Sequence, residues 1–344
     1  MQDTFTPISE VGEFGLIDRL ESVLGEPANP SLVMSIGDDA AVYRAGADKV
    51  SVVTSDALIE GVHFDLSFIP MEHLGAKSLM VNLSDVIAMN ALPKFATVVL
   101  GIPNHVSVEM AEELYRGIRK VCEAYDVTII GGDITGARQL TISITAIGEA
   151  LEEELAYRKG AEPGDVLCVT GDLGSAFAGL KVLLRERAEL QEKKEEFVPT
   201  IRQYQYVVNR NLAPVARLGV IQSWREAGFR PHAMIDVSDG LASEVNHLCR
   251  RSGCGAIVRA SDIPLHDQTH RVATEFGESP TLYQLQGGED YELLFAAPES
   301  ELKKLKDSSY AVIGEFVARE EGVVLQHADG TEEELKPIGW DHFA

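Results

Sequence analysis

Six short acidic motifs hold the residues of this chain that could do chemistry. They are Ile36-Gly37-Asp38-Asp39-Ala40, Thr54-Ser55-Asp56, Asn82-Leu83-Ser84-Asp85, Gly131-Gly132-Asp133, Asp236-Val237-Ser238-Asp239-Gly240 and Gly287-Gly288-Glu289-Asp290. Taken singly, each fits a turn former after a strand or a cap before a helix. Together they do not, because ordinary turns mix Asp with Asn, Pro and solvent-facing Lys. Here the acids follow apolar segments, which would set them at strand ends along a cleft. Two like charges about 4 Å apart repel by roughly 4 kcal/mol at an effective dielectric of about 20. A bound cation relieves that repulsion, and an oxygen-only ligand set selects a hard ion. Mg²⁺, held between carboxylates and substrate phosphates, fits best. Glycines beside the acids let backbone approach a ligand closely. Ser238 to Leu241 would present free N–H groups at a helix start, where an anion is welcome. Acids for metal and glycines for phosphate are the needs of phosphoryl transfer.

The chain lacks GxxxxGK[ST], GxGxxG, HExxH, GxSxG and an EF-hand loop. Gly75-Ala76-Lys77-Ser78 matches only the tail of a phosphate loop and lies inside a helical pattern.

Positioning these motifs requires alternating strands and helices. Periodicity predicts a helix over 13–24, with Phe14, Ile17, Leu20 and Leu24 on one face. A strand follows at 51–54 and a long helix at 71–89. Further strands are expected at 98–101, 127–130 and 140–147, with an amphipathic helix at 108–124. The polar stretch Glu149–Glu154 marks the expected domain boundary. Beyond it come strands at 165–170, 233–236, 256–260, 291–296 and 311–315, and helices at 175–184 and 241–250. The charged run Arg185–Glu196 reads as a solvated helix face. Strands interleaved with helices in both halves give an α/β (α+β) class.

Composition narrows the partners. A length of 344 residues argues for two domains, and 45% hydrophobic residues supports a sizeable core in each. A formal net charge of −24 repels nucleic acid and anionic membrane surfaces, so neither is an expected partner. Cys122, Cys168, Cys249 and Cys254 form no CxxC and are expected to be reduced thiols. The opening MQDTFTPISEVGEF lacks the basic and apolar parts of a signal peptide. No apolar run nears the roughly 18 residues of a membrane span. A cytoplasmic protein is expected.

The segments IGDDAAV, TSDALIEGVHF, AKSLMVNLSDVIAMNA, GGD, AYRKGAEPGD, IDVSDGL and GGEDYELLF, in this order, resemble the thiamine-monophosphate kinase family. Its superfamily also holds aminoimidazole ribonucleotide synthetase, selenophosphate synthetase and a hydrogenase maturation factor. The likeness runs from Gly12 to Phe343. It implies the two-domain aminoimidazole ribonucleotide synthetase-like fold. Residues 1–150 would bind ATP and Mg²⁺ and pair their sheets in a homodimer, and residues 151–344 would complete the active site. It further implies an enzyme that transfers the γ-phosphate of ATP directly onto thiamine monophosphate, giving thiamine diphosphate, with several Mg²⁺ ions and no protein nucleophile or base.

By motif position, Asp39, Asp56, Asp85, Asp133, Asp236 and Asp239 resemble metal ligands, with Thr54 and Ser55 as helpers through hydroxyl or backbone oxygens. Tyr115, Gly132, Asp133, Arg158 and Ser238 resemble nucleotide contacts. His63, Glu289 and Trp340 resemble contacts to the thiamine phosphate. Asn90 stands where relatives usually carry Gly, a change that Asn tolerates because it accepts left-handed geometry. The alternatives are another ATP-dependent synthetase of the superfamily or a non-catalytic nucleotide or metal sensor. Selenophosphate synthetase would show a reactive Cys near the N-terminus, whereas the first here is Cys122. The hydrogenase factor ends in Cys, whereas this chain ends His342-Phe343-Ala344. A sensor could lose metal ligands, yet every acidic motif is filled.

Overall fold

The computed structural model of the chain describes residues 10–24, 29–46, 48–193, 198–305 and 310–339. The first half builds a sheet from β1 (Leu32–Met34), β2 (Ala41–Arg44), β3 (Val50–Ile59), β4 (Leu92–Ile102), β5 (Thr128–Gly136) and β6 (Thr141–Ala150), in the order β1-β2-β3-β6-β4-β5. β6 alternates half-exposed and buried residues along its whole length, as expected of a strand covered on one face. Helices α1 (Gly12–Leu24), α2 (Met71–Ala88) and α3 (Val108–Tyr125) belong to this half. α3 carries the chain from β4 to β5, which run parallel.

α2 is buried on nearly all sides, because it packs on β3 and β6, crosses α3 and touches the second half. The α2–α3 crossing is a backbone contact. A Cβ on Gly75 would strike the Leu114 carbonyl, and one on Gly117 would strike the Glu72 carbonyl. Gly75 therefore serves helix packing. Asn90, just past α2, has φ +55°, the left-handed geometry anticipated for it.

The second half builds a sheet from β7 (Val166–Thr170), β8 (Ala233–Asp236), β9 (Gly255–Arg259), β10 (Leu293–Ala297), β11 (Tyr310–Val317), β12 (Val323–Gln326) and β13 (Glu332–Glu334). The order is β13-β12-β9-β11-β7-β10-β8. Around it lie α4 (Ser175–Lys193), α5 (Gln205–Leu212), α6 (Leu218–Glu226), α7 (Leu241–Ser252), α8 (Asp267–Glu275), α9 (Pro280–Gln286) and α10 (Glu299–Leu302). One apolar cluster joins Leu83, Ile87 and Ile144 of the first half to Met234 and Phe295 of the second.

Several expectations need correction. Asp56 lies inside β3, because the ladder with β6 continues through Asp56↔Ile144 as far as Ile59↔Thr141. Gly131, Gly132 and Asp133 likewise lie inside β5, paired with Thr97, Val98 and Val99. Cross-strand pairing overrides the weak strand preference of Gly and Asp. The strand expected from Tyr291 starts at Leu293, since Tyr291 itself has φ +51°. The charged run after Arg185 is not a uniformly solvated face. Glu186 is buried and accepts hydrogen bonds from the Thr200 amide and hydroxyl at 2.8 and 2.5 Å. Residues 194–197, including Glu196, lie outside the described residues, as do Trp340 and the four residues after it.

Candidate active site

Asp39 ends the β1–β2 connection, Asp85 sits on α2, and Asp236 closes β8. Three distant segments thus converge, and one carboxylate oxygen from each lies within 4.8 Å of the others. The Asp39 side chain is wholly buried. Its Oδ1 accepts from Arg158 Nε and Nη2 at 3.0 and 2.5 Å, while its Oδ2 is buried with no hydrogen-bond partner. A buried, orphaned carboxylate oxygen is costly unless something positive meets it. The all-oxygen donor set of these three carboxylates fits a hard divalent cation such as Mg²⁺.

The neighbours of these acids are hydrogen-bonded into place. Thr54 Oγ1 donates to Asp85 Oδ2 at 2.7 Å, and Ser84 Oγ donates to Asp236 Oδ2 at 2.5 Å. Asn82 Oδ1 accepts from the Asp56 amide at 2.9 Å, which ties β3 to α2. Asp38 accepts from the Arg158 amide at 3.0 Å. Ser55 Oγ donates to the Ile144 carbonyl of β6 at 3.2 Å, so this hydroxyl engages the neighbouring strand.

The electrostatics follow from burial. Desolvation first, then the charge of Asp39, lifts Asp236 to about 7. The same two causes lift Asp38 to about 7. Desolvation, then the charges of Asp56, Asp236 and Asp39, raises Asp85 well above the usual carboxylate range. Asp39 is raised by desolvation against the lowering pull of Arg158. Asp56 is open to solvent at the cleft mouth yet closely flanked by protein. Its carboxyl is raised too, by desolvation first and then by Glu13 and Asp39 against a hydrogen bond with Asp85. Without a cation these groups compete for protons rather than carry full charge.

Asp38, Asp39, Asp56 and Asp85 line a cleft of about 920 Å³ that draws on both halves of the chain, while Asp236 is buried behind its lining. Asp39, Thr54, Ser55, Asp56, His63, Asp85, Arg158, Ser238, Asp239 and Glu289 all face it. His63 Nδ1 accepts from the Ile59 amide at 3.0 Å, which puts the proton of the neutral ring on Nε2. Gly240 has φ +119° and lets the chain turn sharply from β8 into α7. Gly132, Asp133 and Tyr115 do not line this cleft. Gly132 pairs with Val98, Val98 with Ile144 and Ile144 with Asp56, so it sits three strands away in the same row. Three strand spacings are about 14 Å. Trp340 lies outside the described residues, but Gly339 abuts the Asp239 carbonyl so closely that a Cβ there would sit 2.6 Å from it.

Several residues of the site have weak sequence signals. Lys77 reaches Glu289 from α2, where its place in a helical run concealed it. Glu244, buried in the first turn of α7, accepts from the Asp239 amide at 3.0 Å. An acid just inside a helix start was the available clue. Asp290 turns away from the cleft and accepts from the Gly174 and Ala176 amides at 2.5 and 3.0 Å, capping α4 from another segment.

Sequence comparisons agree with this architecture. The profile of the AIR synthase related protein, N-terminal domain, matches residues 37–150, and that of the C-terminal domain matches residues 162–326. Thiamine-monophosphate kinase of Aquifex aeolicus is 36% identical over 336 residues, covering 98% of this chain and 99% of that one. The enzyme of the same name from Bacillus subtilis is 32% identical over 334 residues, covering 95% and 98%. The structure of AaThiL complexed with AMPPCP and TMP matches with a TM-score of 0.83 at 35% identity, covering 99% of this chain and 100% of that one. Both domain profiles and near-full-length identity above 30% lead to one conclusion: the chain belongs to the thiamine-monophosphate kinase family of AIR synthase related proteins.

Proposed function

We propose that this chain transfers the γ-phosphoryl group of ATP onto the phosphate of thiamine monophosphate, forming thiamine diphosphate and ADP. The observation that carries this reading is the convergence of Asp39, Asp85 and Asp236, one carboxylate oxygen from each within 4.8 Å of the others, beside a cleft shared by both halves. Relatives named for this activity, and one bound to AMPPCP and TMP, support it. Among the other superfamily chemistries, none is favoured by a residue of this chain.

Asp39, Asp56, Asp85, Asp236 and Asp239, with Asp133, would hold Mg²⁺, which neutralises the phosphates and draws charge from the developing transition state. The protein contributes placement. Thr54 and Ser84 fix the carboxylates of Asp85 and Asp236, and Asn82 holds the backbone of Asp56, before any ligand arrives, so little reorganisation remains for the reaction. Ser238 and the amides at the start of α7 beyond Asp239, whose own N–H is taken by Glu244, offer a backbone setting suited to an anion. Arg158 supplies a guanidinium beside the acids, and Tyr115 and Gly132 complete the nucleotide site. His63, Glu289 and Trp340 contact the acceptor. The attacking atom is a phosphate oxygen that is already ionised near neutral pH, so the site requires no protein base. A coupled assay with ATP, Mg²⁺ and either thiamine monophosphate or free thiamine tests the reading. Thiamine diphosphate should form from the monophosphate, and free thiamine should be no substrate. Phosphorylation of the thiamine hydroxyl at a comparable rate would overturn the assignment.

The distance of Gly132 and Asp133 from the cleft supports a homodimer. β2 covers only Val50–Val53 of β3, so the Thr54–Ile59 half has no strand partner on that side among the described residues. β5 is an edge strand exposed from Ile130 to its end, with Ile130 and Ile134 more than half exposed. Open apolar edges call for cover. Pairing β5 with the open half of β3 of a second copy would satisfy both edges and bring Gly132 and Asp133 of that copy beside Asp56. Residues 1–150 then form the ATP, Mg²⁺ and dimerisation domain, and residues 151–344 complete the site. Four free cysteines suit a cytoplasmic setting, and no described helix is long and apolar enough to cross a membrane.

A pH dependence follows from the crowded carboxylates. Asp38 and Asp236 titrate near 3.8 when unfolded and about 7 when folded. Between those values the folded chain keeps protons that the unfolded chain has released. Stability without divalent cation is therefore lost as pH rises through that window. Mg²⁺ binds the deprotonated form, so its affinity should be about 10- to 100-fold higher near pH 7.5 than near pH 5. Titration followed by thermal unfolding at each pH measures this. Equal Mg²⁺ affinity at both would count against a metal site on these acids.

A further inference from the structure

We propose that Lys77 and Asn211 are positioning residues that aim the Glu289 carboxylate at the ring portion of the acceptor, and so set acceptor affinity. This rests on the reading of Glu289 as an acceptor contact and extends it. Lys77 Nζ lies 2.8 Å from Glu289 Oε1 and 2.9 Å from Oε2, and Asn211 Nδ2 lies 3.1 Å from Oε2. The three residues come from α2, α5 and the loop before β10. The Lys77 side chain is only 3% exposed, whereas Glu289 is 30% exposed and borders the cleft. A lysine with almost no solvent requires a paired acid, and Glu289 provides it.

The backbone explains why the pairing fixes a direction. Glu289 has φ +66° and Tyr291 has φ +51°, both unfavourable for residues with a Cβ. The loop is nonetheless held from several sides. The Glu289 amide donates to the Ser238 carbonyl at 2.7 Å, and the Tyr291 amide donates to the Val237 carbonyl at 2.9 Å. Asp290 is tied to the start of α4. A solvated glutamate needs neither a strained backbone nor a buried lysine. Such an arrangement holds a carboxylate in one orientation, as a preorganised binding group requires.

The cleft is also lined by His63, Phe68, Phe177, Leu180 and Leu184. Apolar and aromatic side chains together with a carboxylate held in one orientation suit a flat heteroaromatic amine or cation. A phosphate would be repelled by Glu289, so the ring portion faces it.

Lys77→Met, Glu289→Gln and their double variant, assayed with each substrate varied in turn, test the proposal. Lys77→Met should raise the KM for thiamine monophosphate about 10-fold and leave the KM for ATP within about twofold. Lys77→Arg should recover most of the loss, and Asn211→Leu should repeat it more weakly. The double variant should be no worse than Glu289→Gln alone, because Lys77 acts through that carboxylate. If Lys77→Met does not fold, Lys77→Arg and Asn211→Leu still decide. Equal rises in both KM values, or additive losses in the double variant, would overturn the proposal. A normal acceptor KM in Lys77→Met, with a raised one in Glu289→Gln, would overturn the positioning role alone. A normal acceptor KM in Glu289→Gln would remove Glu289 from the acceptor site, and the positioning role with it.

Discussion

Replacing Asp56 with Asn is expected to lower turnover by about 10²–10⁴ at saturating ATP, thiamine monophosphate and Mg²⁺. The substitution keeps the shape and removes one carboxylate charge. Its backbone is anchored independently, because the amide donates to Asn82 and the strand is paired with β6. The loss corresponds to roughly 3–5 kcal/mol of transition-state stabilisation, a size that a missing metal ligand can account for. The fold should survive with unchanged or higher stability in chelator. Asp56 raises the carboxyl of Asp85 by its charge, so its removal relieves a repulsion that the empty site must otherwise bear. Steady-state rates beside a thermal unfolding curve separate the two effects. Near-normal turnover, or a loss that tracks reduced stability, would take Asp56 out of the site.

Mixing two inactive variants should restore activity if Asp133 works across a dimer. Asp133→Asn alone is expected to fall by about the same 10²–10⁴ as Asp56→Asn. In a two-fold dimer that pairs β5 with β3 of the other copy, each site takes Asp56 from one chain and Asp133 from the other. A heterodimer of the two variants then contains one site with both lesions and one intact site. Random reassortment makes about half the dimers mixed, so specific activity should return to about a quarter of the unsubstituted level. That is at least tenfold above either variant by itself. Co-expression with two affinity tags, or joint unfolding and refolding, supplies the mixture. Activity no greater than the mean of the parents would mean that Asp133 serves its own chain or no site at all. Complementation with a monomeric mass in solution would refute the pairing as well.

Much of the site was legible in the residues alone, because its chemistry is repetitive. Acid motifs recur beside glycines, and six of them in one chain cannot all be solvated turns without a reason. The elements that carry Asp85, Asp236 and Ser238 were legible too. The helix expected over 71–89 matches α2, and the β8-to-α7 junction falls where the apolar run Ala233–Asp236 meets Gly240. These are short-range signals, and side-chain period and turn chemistry are read from a few neighbouring residues.

Other features had no short-range signal. Glu289 and Asp290 are adjacent acids in one motif, yet Glu289 meets Lys77 across 212 positions, whereas Asp290 caps α4. Asp39 pairs with Arg158 across 119 positions, and only the folded chain shows that its second oxygen is left without a partner. β3 and β5 run through their Asp and Gly residues because a neighbouring strand supplies hydrogen bonds that local preference does not. Residue types and their local spacing therefore determined what chemistry this protein can perform and which helices and strands carry it. The tertiary structure decided which acids share a cation-sized space, which serve as caps, and which edges stay open. Those outcomes depend on burial and on contacts between distant segments, where desolvation and pairing outweigh the preferences of any single stretch.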